Sequence, residues 1–257
     1  MPPVLYKFRD WSDEYHKKLL LNRELYFAKA SQFNDPYDCS IPYRIRKEEL
    51  TRGSIFNKYY NMAKKNNPNW SNAKLVEHAN QWANKGLLTN EKHLSGLDKQ
   101  IQKDIDKKFG IVSLSLKPDN ILLWSHYSNS HKGFCVGFNT KHLYEFTQAA
   151  LFSVNYQLSF PEYQLNNDSI EMIGTLLSTK SSLWGYENEY RLIKTEFAGR
   201  PLSLPLKVFE NVIIGCKIPE DYKKEITAYI QENMKGVKLF RSFMCKTKFE
   251  IHFEQIL

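Results

Sequence analysis

The segment spanning residues 180–194 constrains the fold most, because its charged and apolar residues alternate as they would along a half-buried strand. If the strand starts at about Tyr186, successive side chains point to opposite faces, and Glu187, Glu189 and Arg191 share one face. Two neighbouring carboxylates there repel each other unless an arginine, a substrate or a metal compensates. Two interpretations stay open: a solvated edge or internal Glu–Arg pair, and a ligand site.

Alternation of apolar and polar residues, and short apolar runs, predict strands in several segments of the chain. With 257 residues, of which 42% are hydrophobic, the chain is long enough to bury a substantial core. We therefore predict an α+β fold, with a mixed or split β-sheet and flanking helices, in a single domain spanning residues 1–257. The expected strands are 4–9, 24–28, 110–116, 133–139, 186–194, 210–214 and 250–254.

A basic helical insertion is predicted at about residues 46–109. Apolar residues recur there at helical spacing, for example at Leu94, Leu97, Ile101 and Ile105. Residues 41–110 contain 14 lysines and arginines but only 7 acidic residues, which accounts for most of the net charge of +8. Because the lysines lie mainly between the apolar positions, a solvated face is one interpretation and a nucleic-acid surface is the other.

Two further groups of polar residues are candidates for ligand contacts. In the predicted strand 110–116, Ser113 and Ser115 share one face, where serines save space, bond locally or touch a ligand. The short helix that follows carries Trp124, His126 and Tyr127, which are rings with polar atoms.

Several classes of protein are excluded by what the sequence lacks. It contains no Walker A, GxGxxG, GxSxG or HExxH motif. The four cysteines, Cys39, Cys135, Cys216 and Cys245, are far apart and form no CxxC, so we expect neither a metal site nor a disulfide framework. Since there is no apolar run of membrane-spanning length and no signal-peptide core, we expect a cytoplasmic protein.

Several segments together resemble a prokaryotic family known as domain of unknown function 2971. They include the Leu5–Phe8 start, Ser113–Ser115, and the two motifs Trp124-Ser125-His126-Tyr127 and Trp184-Gly185-Tyr186-Glu187-Asn188-Glu189-Tyr190-Arg191. Further matching segments are Leu25–Phe27, Phe33–Asp38 and His131–Cys135.

The order of these motifs is also similar to that of the ADP-ribosyltransferase superfamily. This resemblance implies an NAD-binding cleft in a split sheet, where a glutamate on a late strand steadies the oxocarbenium-like ribose as nicotinamide leaves. It implies that Glu189 is the catalytic carboxylate, that Glu187 orients the acceptor and that Arg191 completes the catalytic group. The residues expected to contact NAD are Tyr6, Arg9 or Lys7, Ser113, Ser115, Trp124, His126 and Tyr127.

Three functions compete at this point. The first is an ADP-ribosyltransferase-like enzyme that consumes NAD, with a role in bacterial defence or toxicity. The second is a nucleic-acid-binding protein or metal-dependent nuclease, which would use the insertion 46–109 and would hold a metal at Glu187 and Glu189. The third is a binding domain without catalysis. We expect the candidate site residues on the strands, and those on the helix that carries Trp124, His126 and Tyr127, to converge in one pocket.

Overall fold

The computed structural model describes residues 1–167 and 169–257, which form two compact units. The first unit comprises Met1–Phe33, Asp106–Tyr156 and Ser182–Leu257, and the second comprises Asn34–Ile105 and Gln157–Ser181. In the part of the chain described, no helix combines the length and apolar character needed to cross a bilayer.

The strands and helices follow one another in mixed order along the chain. The strands are β1 (Val4–Arg9), β2 (Glu24–Phe27), β3 (Phe109–Ser115), β4 (Phe134–Asn139), β5 (Ala150–Ser153), β6 (Asn155–Gln157), β7 (Thr179–Ser181), β8 (Glu189–Thr195), β9 (Arg200–Ser203), β10 (Phe209–Ile214), β11 (Lys238–Met244) and β12 (Ile251–Gln255). The α-helices are α1 (Glu14–Leu21), α2 (Arg52–Asn66), α3 (Asn72–Asn84), α4 (Glu91–Lys108), α5 (Ile121–Tyr127), α6 (Thr140–Thr147), α7 (Ser169–Ser178) and α8 (Glu220–Asn233).

An eight-stranded sheet forms the centre of the first unit, in the order β12-β11-β10-β4-β1-β3-β8-β5. Strands β10 and β11 pair in parallel and the other neighbours pair antiparallel, which makes the sheet mixed. The predicted α+β class is therefore confirmed. Strands β1, β3, β4, β10 and β12 lie within one residue of their predicted bounds, because alternation and short apolar runs are strong local signals of a strand.

The two faces of this sheet are covered differently. One face carries the large apolar core, in which side chains of the sheet pack with residues such as Leu20 of α1 and Ile226 of α8. On the other face, Trp124 of α5 packs with Phe8 and Cys135 in a smaller cluster. The remainder of this second face holds the polar side chains of the candidate site.

Strands β1 and β3 are neighbours in this sheet. Within the described residues, Tyr6 opposite Ser115 is the one register pair between these two strands. Next to it, the Lys7 ammonium donates a hydrogen bond to the Ser113 carbonyl oxygen at 2.7 Å. A side chain of β1 therefore satisfies a backbone carbonyl group of β3.

Two strand predictions need correction. Strand 24–28 was expected in the main sheet, but β2 pairs with β9 in a separate two-stranded sheet. Strand 186–194 was expected to start at Tyr186, but Ser182–Glu187 forms a 3₁₀ helix and β8 starts at Glu189. Asn188, between the two, has a φ of 46°, and this left-handed conformation ends the helical turn before the strand begins.

The second unit contains α2, α3 and most of α4, together with residues 157–181. Its two chain segments are joined by direct contacts. The Lys58 ammonium donates to the Leu165 carbonyl oxygen, the Leu165 amide donates to the Glu49 carboxylate at 2.7 Å, and the rings of Tyr43 and Tyr163 stack. Residues 157–181 thus complete a unit whose helices the sequence predicted within 46–109.

We expect Gly133→Ala to destabilise the protein by about 1–3 kcal/mol, the usual cost of overpacking a tight site. An added Cβ would overlap the Arg9 carbonyl oxygen, where β1 and β4 run side by side. Gly185→Ala is the matched control, because its Cβ would meet nothing within 4 Å. Thermal melting of both variants checks this, and equal melting temperatures would contradict it.

Candidate functional site

Polar side chains of three adjacent strands meet on one face of the sheet in the first unit. The register places Glu189 opposite Ser115 and Arg191 opposite Ser113, and Ser115 is in turn opposite Tyr6. Because residues directly opposite each other point to the same face, these five predicted site residues are brought together.

Glu189 and Arg191 form a buried, two-pronged ion pair. The Arg191 Nε lies 2.8 Å from Glu189 Oε1 and Nη2 lies 3.2 Å from Oε2, and the two side chains are only 0% and 4% exposed, respectively. The Phe33 ring lies 5.6 Å from the guanidinium. The Glu189 amide donates to the Tyr156 hydroxyl at 2.8 Å. The internal Glu–Arg pair, one of the two sequence interpretations, is therefore present.

Glu187 is also buried, but it lies in the 3₁₀ helix rather than on the strand. The Tyr127 hydroxyl donates to Glu187 Oε1 at 2.8 Å, and the Ser115 hydroxyl donates to the Glu187 carbonyl oxygen at 2.7 Å. Helix α5 and strand β3 thus both fix the position of Glu187.

The predicted aromatic residues of α5 have different environments. Trp124 is fully buried, its Nε1 donates to the Pro118 carbonyl oxygen at 2.7 Å, and its ring packs edge-on against Phe8. His126 is exposed, with its ring centroid 6.3 Å from that of Tyr186. Trp124 therefore serves packing, whereas His126 and Tyr127 lie where a ligand could meet them.

The two remaining strand-one candidates differ in position. Tyr6 is half-buried on the polar face, and its burial raises the pKa of the phenol. Arg9 is three residues further along β1, and alternation directs its side chain to the opposite face. Burial lowers the pKa of Arg9 to about 10, while the nearby Asp13 carboxylate opposes that shift. The structure does not bring Arg9 to the Glu189 cluster.

An open cleft of about 390 Å³ lies at the start of α5, but none of the predicted site residues lines it. The start of α5 forms one side, where the Asn120 side chain donates to the Tyr186 carbonyl oxygen at 2.5 Å. The lining residues are Lys117, Asp119, Asn120, Ile121, Leu122, Tyr186, Asn188, Phe249, Glu250 and Ile251.

The sequence reasoning missed a hydrogen-bonded chain that runs through His131. Its Nε2 lies 3.1 Å from the Ser125 hydroxyl, and its Nδ1 lies 3.8 Å from the Cys216 sulfur. Because the Ser125 proton goes to the Ile121 carbonyl oxygen, Nε2 carries the ring proton and Nδ1 accepts from the thiol. The concentration of rings between Trp124 and His131 was the available signal.

The electrostatics of this chain favour neutral partners. Burial, and then the charge of Lys217, lower the pKa of His131, while burial chiefly raises the pKa of Cys216. His131 also has a φ of 69°, as the last of three consecutive residues in the left-handed region. An imidazole and a thiol of this kind do not form the ion pair of an activated nucleophile at neutral pH.

In the second unit, Lys180 and Asp38 form another buried ion pair, with 3.4 Å between Nζ and Oδ2. The Cys39 thiol donates to the other Asp38 oxygen at 3.5 Å. No local pattern of residues predicts this pair, because its partners are more than 140 residues apart. Asp38 did belong to one of the segments that carry the family resemblance.

The segment that contains Tyr127, Glu187 and Glu189 matches a known family. The model of a family described as protein of unknown function (DUF2971) matches residues 123–192. This segment is similar to that family. It includes Tyr127, Glu187, Glu189 and Arg191, and the match supports the resemblance noted in the sequence. No curated protein and no solved structure matches the chain.

We expect Glu189→Gln to destabilise the protein by about 3–5 kcal/mol, because the amide keeps the shape of glutamate but leaves the buried guanidinium without its anion. Glu254→Gln is the matched control. It breaks an Arg–Glu pair with Arg241 in which both side chains are about half exposed, and it should cost about 0–1 kcal/mol. Denaturant unfolding measures the free energy of unfolding of both variants. Equal losses would contradict the larger contribution expected from the buried pair. The double variant Glu189→Leu/Arg191→Met should recover part of the loss.

We expect the stability of the protein to fall as the pH drops below about 6.5, the ordinary pKa of histidine. Because the pKa of His131 is lowered in the folded state, the unfolded state binds the proton more readily in this range, and His16 contributes in the same direction. His131→Asn removes the titrating ring and tolerates a left-handed backbone. Its melting temperature should therefore depend less on pH than that of the parent, with His93→Asn, at an exposed position, as control. An unchanged slope would exclude His131 as a contributor.

Proposed function

We propose that this protein is an ADP-ribosyltransferase-like enzyme that cleaves the bond between the ribose and the nicotinamide of NAD. The hydrogen bond from Tyr127 to the buried Glu187 carboxylate carries the proposal. It holds the carboxylate at a fixed position in the 3₁₀ helix just before β8. A preorganised anion of this kind is what a developing ribose cation requires.

The reaction assigns a defined task to this anion. The bond from the ribose C1′ to the ring nitrogen breaks, its electron pair goes to nicotinamide, and positive charge develops on the ribose. An acceptor hydroxyl, amine or water then bonds to C1′ and loses a proton. Glu187 stabilises the cation, and the hydrogen bond from Tyr127 orients its carboxylate.

Glu189 has a different role in this proposal from the one that the superfamily resemblance implies. Both of its carboxylate oxygens contact Arg191, so part of its charge is already neutralised. We assign Glu189 and Arg191 to positioning, since they fix the strand that follows Glu187. His126 and Tyr186, with ring centroids 6.3 Å apart, offer an aromatic surface for the nicotinamide ring.

A second candidate function is single-stranded nucleic-acid binding by the second unit. Trp70, His78 and Trp82 form a row of neighbouring rings, with centroids 5.4 and 5.9 Å apart. The ammonium groups of Lys74 and Lys85 lie 4.3 and 3.7 Å from the centroids of the Trp70 and Trp82 rings. Rings combined with cations suit base stacking and phosphate contact, although the lysines already cover the tryptophan faces.

Release of nicotinamide from NAD, measured by chromatography, tests the enzymatic proposal. We expect the parent protein to release it and Glu187→Gln to do so about 10²–10³-fold more slowly, the usual loss when one preorganised electrostatic group is removed. Tyr127→Phe should be intermediate. Glu145→Gln, at an exposed position on α6, is the control and should match the parent.

Two outcomes would reject the enzymatic proposal. One is turnover by Glu187→Gln equal to that of the parent. The other is a parent protein that neither releases nicotinamide nor melts at a higher temperature with NAD. If an oligonucleotide raises the melting temperature in the same series and NAD does not, the second candidate is favoured.

A further inference from the structure

The hairpin formed by β11 and β12 brings three metal-binding side chains to one face. Phe243 lies opposite His252, and the Cys245 amide donates to the Glu250 carbonyl oxygen at 2.9 Å, which extends the pairing by one step. Residues opposite each other, and residues two apart on one strand, share a face of a β-ribbon. Cys245, Glu250 and His252 therefore project from the same face.

The donor atoms of these residues are already close to one another. The Cys245 sulfur, a Glu250 carboxylate oxygen and a His252 ring nitrogen all lie within 4.8 Å of one another. The His252 Nε2 lies 3.7 Å from Glu250 Oε2. Bonds of about 2.0–2.3 Å in a tetrahedral zinc site separate its ligand atoms by about 3.3–3.8 Å. Small side-chain rotations would bring all three donors to these distances.

We propose that Cys245, Glu250 and His252 bind a divalent transition-metal ion with the preferences of zinc. A thiolate, an imidazole and a carboxylate form a mixed set that suits Zn²⁺ rather than Mg²⁺ or Ca²⁺, which prefer oxygen ligands alone. Three protein ligands leave a fourth tetrahedral position open to water or another ligand.

The surroundings of the three residues are compatible with a bound cation. The Cys245 sulfur lies 3.5 Å from the Thr247 hydroxyl, next to the other two donors. The Phe243 ring stacks on the His252 ring with 5.7 Å between centroids and limits its rotation. The Lys248 ammonium, 3.9 Å from Glu250 Oε1, is a competing cation at the hairpin end, which a doubly charged ion would displace.

The sequence led us to expect no metal, because the cysteines lie far apart and no histidine pair accompanies them. The hairpin brings these residues together, since Cys245 and His252 are seven positions apart in the chain but nearly adjacent across the ribbon. Glu250 also lines the 390 Å³ cleft. A metal held here would therefore lie at the border of that cleft, and its binding does not depend on NAD chemistry.

Cobalt titration of the reduced, chelator-treated protein tests the proposal, because a thiolate bound to Co²⁺ gives a charge-transfer absorption in the near ultraviolet. We expect this band to saturate at one equivalent and Zn²⁺ to abolish it. Cys245→Ser should remove the band, and His252→Gln or Glu250→Gln should weaken binding by about tenfold or more. Cys216→Ser, which changes a half-buried thiol elsewhere in the same unit, should leave the titration unchanged.

Two results would overturn the metal site. The first is no charge-transfer band with stoichiometric cobalt. The second is a band that persists in Cys245→Ser, which would assign it to another thiol. Because the hairpin end is exposed, all the variants should melt at the temperature of the parent without metal, so a lost band cannot be attributed to unfolding.

Discussion

The ion pair between Glu189 and Arg191 is the interaction on which the polar side of the first unit depends. Two charges removed from water are tolerated only when each satisfies the other, and the two-pronged geometry meets this condition. The pair also fixes the beginning of β8, because Glu189 and Arg191 are the first and third residues of that strand. Everything attached to that strand end, including Glu187 and its hydrogen bond from Tyr127, is held in place as a result.

One sheet thus provides two different environments. Its apolar face packs against α1 and α8 and supplies most of the buried surface, while the opposite face divides between the Trp124 cluster and the charged group. This division lets Trp124 stabilise α5 while Tyr127, on the same helix, reaches a carboxylate. A rigid scaffold with polar groups at strand ends is the usual way in which a fold supports binding or catalysis.

The other polar groups of this unit also lie near the ends of strands. The chain through His131 precedes β4, and the Cys245, Glu250 and His252 side chains lie where β11 turns into β12. Each group sits where a strand begins or ends, and the backbone hydrogen bonds of the sheet fix its geometry. The His131 chain is neutral and structural in character, whereas the hairpin group has the donor set of a metal site.

The sequence by itself determined the α+β class, several strand positions, and the shared faces of Ser113 with Ser115 and of Glu189 with Arg191, because alternation along one strand is a local property. The pairing of β3 with β8, which brings these two pairs onto one face, was decided by the tertiary structure. It also offered the internal Glu–Arg pair as one of two interpretations. Tertiary structure alone decided that β2 pairs with β9, that Asn188 turns left-handed before β8, and that Cys245 meets His252. It likewise joined Asp38 to Lys180. These features depend on which distant segments become neighbours, and no local pattern of residues contains that information.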